Sequence, residues 1–146
     1  MTKTNSHQTD KTNQIDQKDQ KTVLVGVTDI FFYTKVRDAL MSKGYKIERA
    51  RTQQDIAEKA LATIPSAFIL NMNDETLNAF QALDTLKADV RLKTIPVLAF
   101  ANHEEVDTFN QARALGVTKI VSRNEFSARL KDLVEEILAA GVRGKG

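Results

Sequence analysis

The chain is 146 residues long, which suits a single domain. Its 21 lysines and arginines against 19 aspartates and glutamates leave a net charge of +2, which argues against a dedicated nucleic-acid surface, usually a basic patch or stripe. The lack of cysteine excludes disulfides, thiol catalysis and cysteine-based metal sites, and no apolar run approaches the ~18–20 residues of a membrane span, so a cytoplasmic protein without membrane contact is expected.

Residues 1–21 are mostly Thr, Lys, Gln, Asn and Asp, with Ile15 the one apolar side chain after Met1. So little apolar surface does not offset the entropy of ordering, and a disordered polar tail is expected. Val23-Leu24-Val25 reads as strand one. Residues 31–43 read as a helix that turns Phe32, Val36 and Leu40 inward and stops at Gly44. Residues 45–50 mix apolar and charged side chains and read as strand two, on a less buried side of the sheet. Thr52 is an N-cap for a helix to residue 63, with Ile56, Ala60 and Leu61 inward. Pro65 breaks that pattern before strand three, residues 67–72. A third helix is read over 75–87, with Leu77, Phe80, Leu83 and Leu86 inward. Pro96 sits at the start of strand four, residues 95–100, where a missing N–H is tolerated. A fourth helix, 104–115, stops at Gly116, and 119–121 form a short fifth strand. The last helix, 125–140, carries Phe126, Leu130, Leu133, Val134, Ile137 and Leu138 at i, i+4, i+7, i+8 spacing. Gly141 caps it, and the basic end, 142–146, is expected to fray.

Five repeats of strand then helix, with nearly continuous apolar strands, imply an α/β fold: a doubly wound (βα)5 unit whose five-stranded parallel sheet is covered on both faces. In such a sheet the chemistry gathers at the carboxyl ends of the strands. Asn71 closes the apolar run Ala67-Phe68-Ile69-Leu70 there. A carboxylate at that position could accept a phosphoryl group as an acyl phosphate. A carboxamide cannot, because its nitrogen stands where the nucleophilic oxygen would be.

Three segments carry a resemblance. Residues 86–100 read Leu-Lys-Ala-Asp-Val-Arg-Leu-Lys-Thr-Ile-Pro-Val-Leu-Ala-Phe, residues 112–117 Ala-Arg-Ala-Leu-Gly-Val, and residues 41–47 Met-Ser-Lys-Gly-Tyr-Lys-Ile. With these the body, residues 22–138, resembles the receiver domain of bacterial two-component response regulators, the CheY-like, flavodoxin-type fold. The resemblance implies strand order 2-1-3-4-5 and a body spanning residues 22–140. It also implies where a phosphorylation site would lie. The two acidic residues that hold Mg²⁺ in the family match Val27 and Thr28, with Asp29 one residue further along the loop. The phosphoacceptor aspartate matches Asn71; sliding Asp74 into that place breaks the register. The Ser/Thr after strand four matches Ala101, the switch aromatic matches Ile120, and the lysine after strand five matches Arg123, followed by Asn124 at a proline position. Valine offers a hard cation no oxygen, and arginine keeps the lysine's charge but not its compact geometry. No metal, cofactor or catalytic residue is therefore expected.

Other signals are weighed beside plainer readings. Asn71 is read first as a strand end hydrogen-bonded to nearby loop amides, and second as a mimic of a fixed state. Arg123 reaches Asp29 or Asn71, or else is solvated, and both readings stay open. His103 beside Glu104 and Glu105 is not spaced for chelation, and His7 lies in the tail. Lys35, Arg37, Lys43, Arg49 and Arg51 read as solvated charge. Of Phe31-Phe32-Tyr33, one or two side chains face the core. No dinucleotide, P-loop, serine-hydrolase or zinc-protease motif occurs.

The expectation is a stand-alone pseudo-receiver that binds protein partners in bacterial signalling without phosphorylation and is not an enzyme. In receivers the surface of helix four, strand five and helix five is the usual output face, which here draws on Asp107, Gln111, Lys119, Arg129 and Asp132 and offers a route to a homodimer. Two alternatives stand behind it: a small anion or nucleotide in the degenerate pocket, and a residual phosphorelay receiver using Asp29 or Asp74.

Overall fold

In a computed structural model of the chain, which describes residues 20–145 (backbone alone beyond 140), five strands and five helices alternate. In chain order they are β1 (Thr22–Gly26), α1 (Ile30–Met41), β2 (Lys46–Arg49), α2 (Gln53–Thr63), β3 (Ala67–Asn71), α3 (Ala79–Ala88), β4 (Val97–Ala101), α4 (Val106–Ala114), β5 (Lys119–Ser122) and α5 (Arg123–Lys145). All strands are parallel, in the order β2-β1-β3-β4-β5. The doubly wound sheet and its strand order are those expected. The expected tail falls almost wholly outside the described residues.

Side-chain alternation on the strands builds two apolar layers. Val23, Val25, Ala67, Ile69, Leu98, Phe100 and Val121 face α1 and α5. Leu24, Phe68, Leu70, Val97, Ala99 and Ile120 face α2, α3 and α4. The central strands β3 and β4 are buried along their whole length, which is why they read as unbroken apolar runs. The edge strand β2 is only partly buried. Gly44 and Gly116 follow α1 and α4 with φ of +91° and +95°, the left-handed region that favours glycine, so both stops fall where expected. Thr52 caps α2 through its side chain, which accepts from the Asp55 amide.

Four details differ from the sequence reading. On α1 the core side chains are Tyr33, Val36 and Leu40, while Phe32 is half-buried and Phe31 lies in solvent. On α2 Leu61 points outward at 37% exposure; the helix is short, and Ile56 and Ala60 already fill its inner face. The third helix begins at Ala79 rather than near residue 75, because Asp74 draws the Thr76 and Leu77 amides into a turn and Asn78 then caps the helix. Leu77 is nevertheless buried, from the turn. The last helix continues past Gly141 to Lys145 and is kinked at Arg129 (φ −125°, ψ 25°). Glycine inside a helix costs only about 1 kcal/mol against alanine, so it need not end one. Among the described residues no helix is long and apolar enough to cross a membrane.

Candidate functional site

The carboxyl ends of β1, β3, β4 and β5 meet around a polar depression of about 420 Å³. It is lined by Thr28, Asp29, Asn71, Asn73, Asp74, Glu75, Thr76, Asn102 and Arg123. The fold thus gathers Thr28, Asp29, Asn71 and Arg123 as the sequence suggests. The cavity omits Val27, Ala101 and Ile120, whose side chains are packed into the core.

Val27 is fully buried in the α1/α5 layer, so its side chain offers no oxygen to the depression. Ala101 and Ile120 are buried in the opposite layer. Asn71 is the one polar residue among the described side chains that is buried, at 5% exposure. Its side-chain oxygen accepts from the Asn73 amide at 2.9 Å, and its carbonyl accepts from the Asp74 amide at 3.1 Å. The plainer reading of Asn71, a strand end satisfied by loop amides, is the one this geometry supports. Asn73 carries the network onward. Its side-chain oxygen accepts from the Asn102 amide at 2.8 Å, and its amide group donates to Glu105 at 2.8 Å. Hydrogen bonds from Asn73 and then Thr108 hold the Glu105 carboxyl below the usual range.

Asp29 does not face the depression as a free carboxylate. Its Oδ1 accepts from the Phe32 amide at 3.0 Å and caps α1. The carboxylate thus has a structural task that the sequence reading did not assign to it.

Asp74 is the residue that sequence reasoning undervalued. It accepts four hydrogen bonds: from the Thr28 amide (2.7 Å), the Thr28 hydroxyl (2.7 Å), and the amides of Thr76 (3.0 Å) and Leu77 (2.9 Å). Burial pushes its pKa up, but these donors outweigh that effect and hold it below the ordinary aspartate value. The bonds clasp the loop after β1 to the loop after β3. For the local half of these bonds, to the Thr76 and Leu77 amides, the available signal was an aspartate placed to form an Asx-type turn before a helix. The clasp is extended toward β2 by Arg49, which donates to the Thr28 carbonyl at 3.2 Å and lies over the Tyr33 ring at 4.5 Å.

Arg123 follows neither sequence reading. It makes no ion pair with Asp29 or hydrogen bond to Asn71 among the described contacts. Its guanidinium instead stacks on Phe32 at 4.5 Å and lies 5.6 Å from the Phe100 ring. Phe32, Phe100 and Phe126 form a cluster, with Phe100 and Phe126 at 4.2 Å. Burying β4 and α5 against the N-terminal turn of α1 puts that aromatic floor beneath residue 123, and a flat cation covers it better than it reaches across to a capping carboxylate.

The remaining candidates lie apart. His103 is exposed and sits 4.0 Å from Glu104, and among the described residues no group of three or more His, Asp or Glu side chains is placed to hold a metal ion. The basic residues near α1 are not one patch. Arg37 pairs with Asp38, Lys43 with Glu135, and Arg49 is engaged as above. On the expected partner face, Asp107, Gln111 and Asp132 are exposed, whereas Lys119 and Arg129 are half-buried in a network with Glu125 and Glu136 that bridges β5 and α5.

No protein-family model and no curated protein matches the sequence. Solved structures do match in fold. The chemotaxis response regulator CheY4 of Vibrio cholerae is 18% identical, with 81% of this chain and 98% of that one covered and a TM-score of 0.73. The signal receiver domain of a signal transduction histidine kinase from Syntrophus aciditrophicus is 17% identical over 82% of this chain and 91% of that one, with a TM-score of 0.73. The phosphorylated cyanobacterial phytochrome response regulator RcpA is 19% identical over 81% and 91%, with a TM-score of 0.68. With its strand order and its two covered faces, the chain therefore has the CheY-like receiver fold.

Proposed function

We propose that this chain is a stand-alone pseudo-receiver, a protein–protein interaction module of bacterial signalling that works without phosphorylation, metal or cofactor and catalyses nothing. The observation that carries the reading is how the depression is occupied. The acceptor position is a carboxamide bonded to its own loop, the first metal position is a buried valine, and the nearby carboxylates of Asp29 and Asp74 are already taken as cap and clasp. A carboxylate with four donors is a poor nucleophile, because attack requires giving up hydrogen bonds that stabilise its charge.

The surface of α4, β5 and α5 is the proposed partner face. Asp107 and Gln111 stand free on it, and the Lys119–Glu136–Arg129–Glu125 network gives it a fixed charge pattern. A homodimer through this face is part of the proposal. The anion alternative ranks lower: Asp29, Asp74 and Glu75 line the depression, and the single lining cation, Arg123, is stacked on an aromatic ring. The residual phosphorelay alternative would have to free Asp29 or Asp74 from its bonds.

The amide NMR spectrum tests the reading. Adding Mg²⁺ with beryllofluoride or acetyl phosphate is expected to leave it unchanged. Shifts localised around Asn71 and Ala101, or a mass gain of one phosphoryl group after phosphodonor treatment, would sink it.

A further inference from the structure

Among the described residues, the large apolar side chains left in solvent are not scattered. Ile30, Phe31 and Val106, at 50%, 86% and 64% exposure, sit on the first turns of α1 and α4, at the carboxyl end of the sheet. Met41, Leu61, Ile64 and Val90, at 56%, 37%, 50% and 74%, sit where α1, α2 and α3 run out, at the amino end.

The two ends also differ in charge. The carboxyl end carries Asp29, Asp74, Glu75, Glu104 and Glu105 on its loops against Arg49, Arg51 and Arg123. The amino end carries Lys21, Lys46, Lys87 and Lys93, with its Asp89 paired to Arg91, and among the described residues no carboxylate is within ion-pair distance of any of the four lysines. A parallel sheet makes this separation possible, since every loop after a strand lies at one end and every loop after a helix at the other.

Ile64 adds a third observation. It caps α2 in the left-handed conformation (φ 41°, ψ 70°), because Pro65 forbids the helix to continue. Glycine or asparagine is the ordinary residue there, and a β-branched one is strained. The fold holds an exposed isoleucine where glycine would be easier, and such outliers gather at functional surfaces.

We propose that the occupant of both ends is a second copy of this chain, docked head to tail. The acidic end of one molecule, with Phe31 at its centre, meets the basic end of the next, with Ile64 and Val90. Such a contact is heterologous and open, so copies add in a row rather than closing as a two-fold dimer. It is separate from the α4–β5–α5 face. One end of a domain this size offers a small interface, so the association is weak and salt-sensitive.

Sedimentation velocity on the full chain tests it, from about 10 μM to about 1 mM protein, in about 20 mM and about 500 mM salt. At low salt the sedimentation coefficient is expected to rise with concentration. High salt should weaken association at least about tenfold. Two double variants divide the ends: Glu75→Lys with Glu104→Lys, and Lys46→Glu with Lys93→Glu. Each alone is expected to lose the head-to-tail growth, leaving at most a dimer through the α4–β5–α5 face, and mixing the two should restore that growth, which no two-fold interface elsewhere would do. Ile64→Gly relieves strain, so its melting temperature should not fall, while association weakens severalfold. A protein that is monomeric at the highest concentration in low salt overturns the proposal. So does a dimer indifferent to both double variants, and so does Ile64→Gly with undiminished association. Binding of the basic end to phosphatidylglycerol vesicles without self-association would give that end to a lipid surface instead.

Discussion

The two halves of the carboxyl end are closed by different physics. On the β1–β3 side, polar groups do it: Asp74 takes four hydrogen bonds and ties Thr28 to the turn before α3. On the β4–β5 side, aromatic surface does it: Arg123 lies on Phe32, above the stacked Phe100 and Phe126 rings. The first half depends on charge and therefore on pH. The second depends on buried area and is nearly indifferent to it. The depression between them is thus lined on each side by what the neighbouring strands and loops supply.

The largest expected effect is on the aromatic side. Phe126 is fully buried and its ring stacks on that of Phe100. Phe126→Ala should cost about 3–5 kcal/mol by urea denaturation, from lost transfer energy plus the cavity left behind. The cost should be nearly the same at pH 4 and pH 7. A strong pH dependence would mean that the two halves are coupled.

On the polar side, Asp74→Ala should cost about 2 kcal/mol, because it leaves the Thr28, Thr76 and Leu77 amides to find water in a partly buried loop. Its pH signature is distinct. The folded-state pKa of Asp74 is depressed, so its contribution is present above the ordinary aspartate value and is lost as pH falls through the lower folded value. The wild type should therefore lose stability in that acid range more steeply than Asp74→Asn does. Equal slopes would show that the clasp does not depend on charge.

This contrast also explains what the sequence disclosed. Buried strands announce themselves, as Ala67-Phe68-Ile69-Leu70 does, because both faces of a central parallel strand must be apolar. Val27, Asn71 and Ala101 were likewise placed from sequence at or just past the ends of β1, β3 and β4, where the fold puts them. The long-range contacts were not. Asp74 lies 46 residues from Thr28, and Arg123 is far in sequence from Phe32, so no local pattern marks either pair. The start of α3 was misplaced for a local reason: Asp74 holds the Thr76 and Leu77 amides in a turn, and Asn78 rather than a residue near 75 caps the helix. The kink at Arg129 gave no proline or glycine signal at all.

A smaller effect is expected at the centre. Asn71→Asp restores the missing oxygen but buries a carboxylate beside Asp74, and should cost about 1–2 kcal/mol at neutral pH. Burial raises the new group's pKa, so the penalty should grow as pH rises through that value. Because Val27 still offers a cation nothing, intact mass after acetyl phosphate with Mg²⁺ should show no phosphoryl adduct. An adduct would mean that one atom was the whole difference between this site and a reactive one.

The smallest expected effect discriminates best between the halves. Arg123→Gln removes a cation from the Phe32 face, which is worth about 0.5–1 kcal/mol at a partly exposed site. Arg123→Lys should recover only part of that, since an ammonium is more strongly hydrated than a guanidinium and does not stack. The loss should persist at high salt, where an exposed ion pair with Asp29 would already be screened. A double-mutant cycle with Phe32→Leu assigns the energy: coupling of most of that size places Arg123 on the ring, and no coupling would place its contribution elsewhere. Asp29→Asn, by contrast, should leave the Arg123 effect untouched, because Asp29 is occupied as the cap of α1.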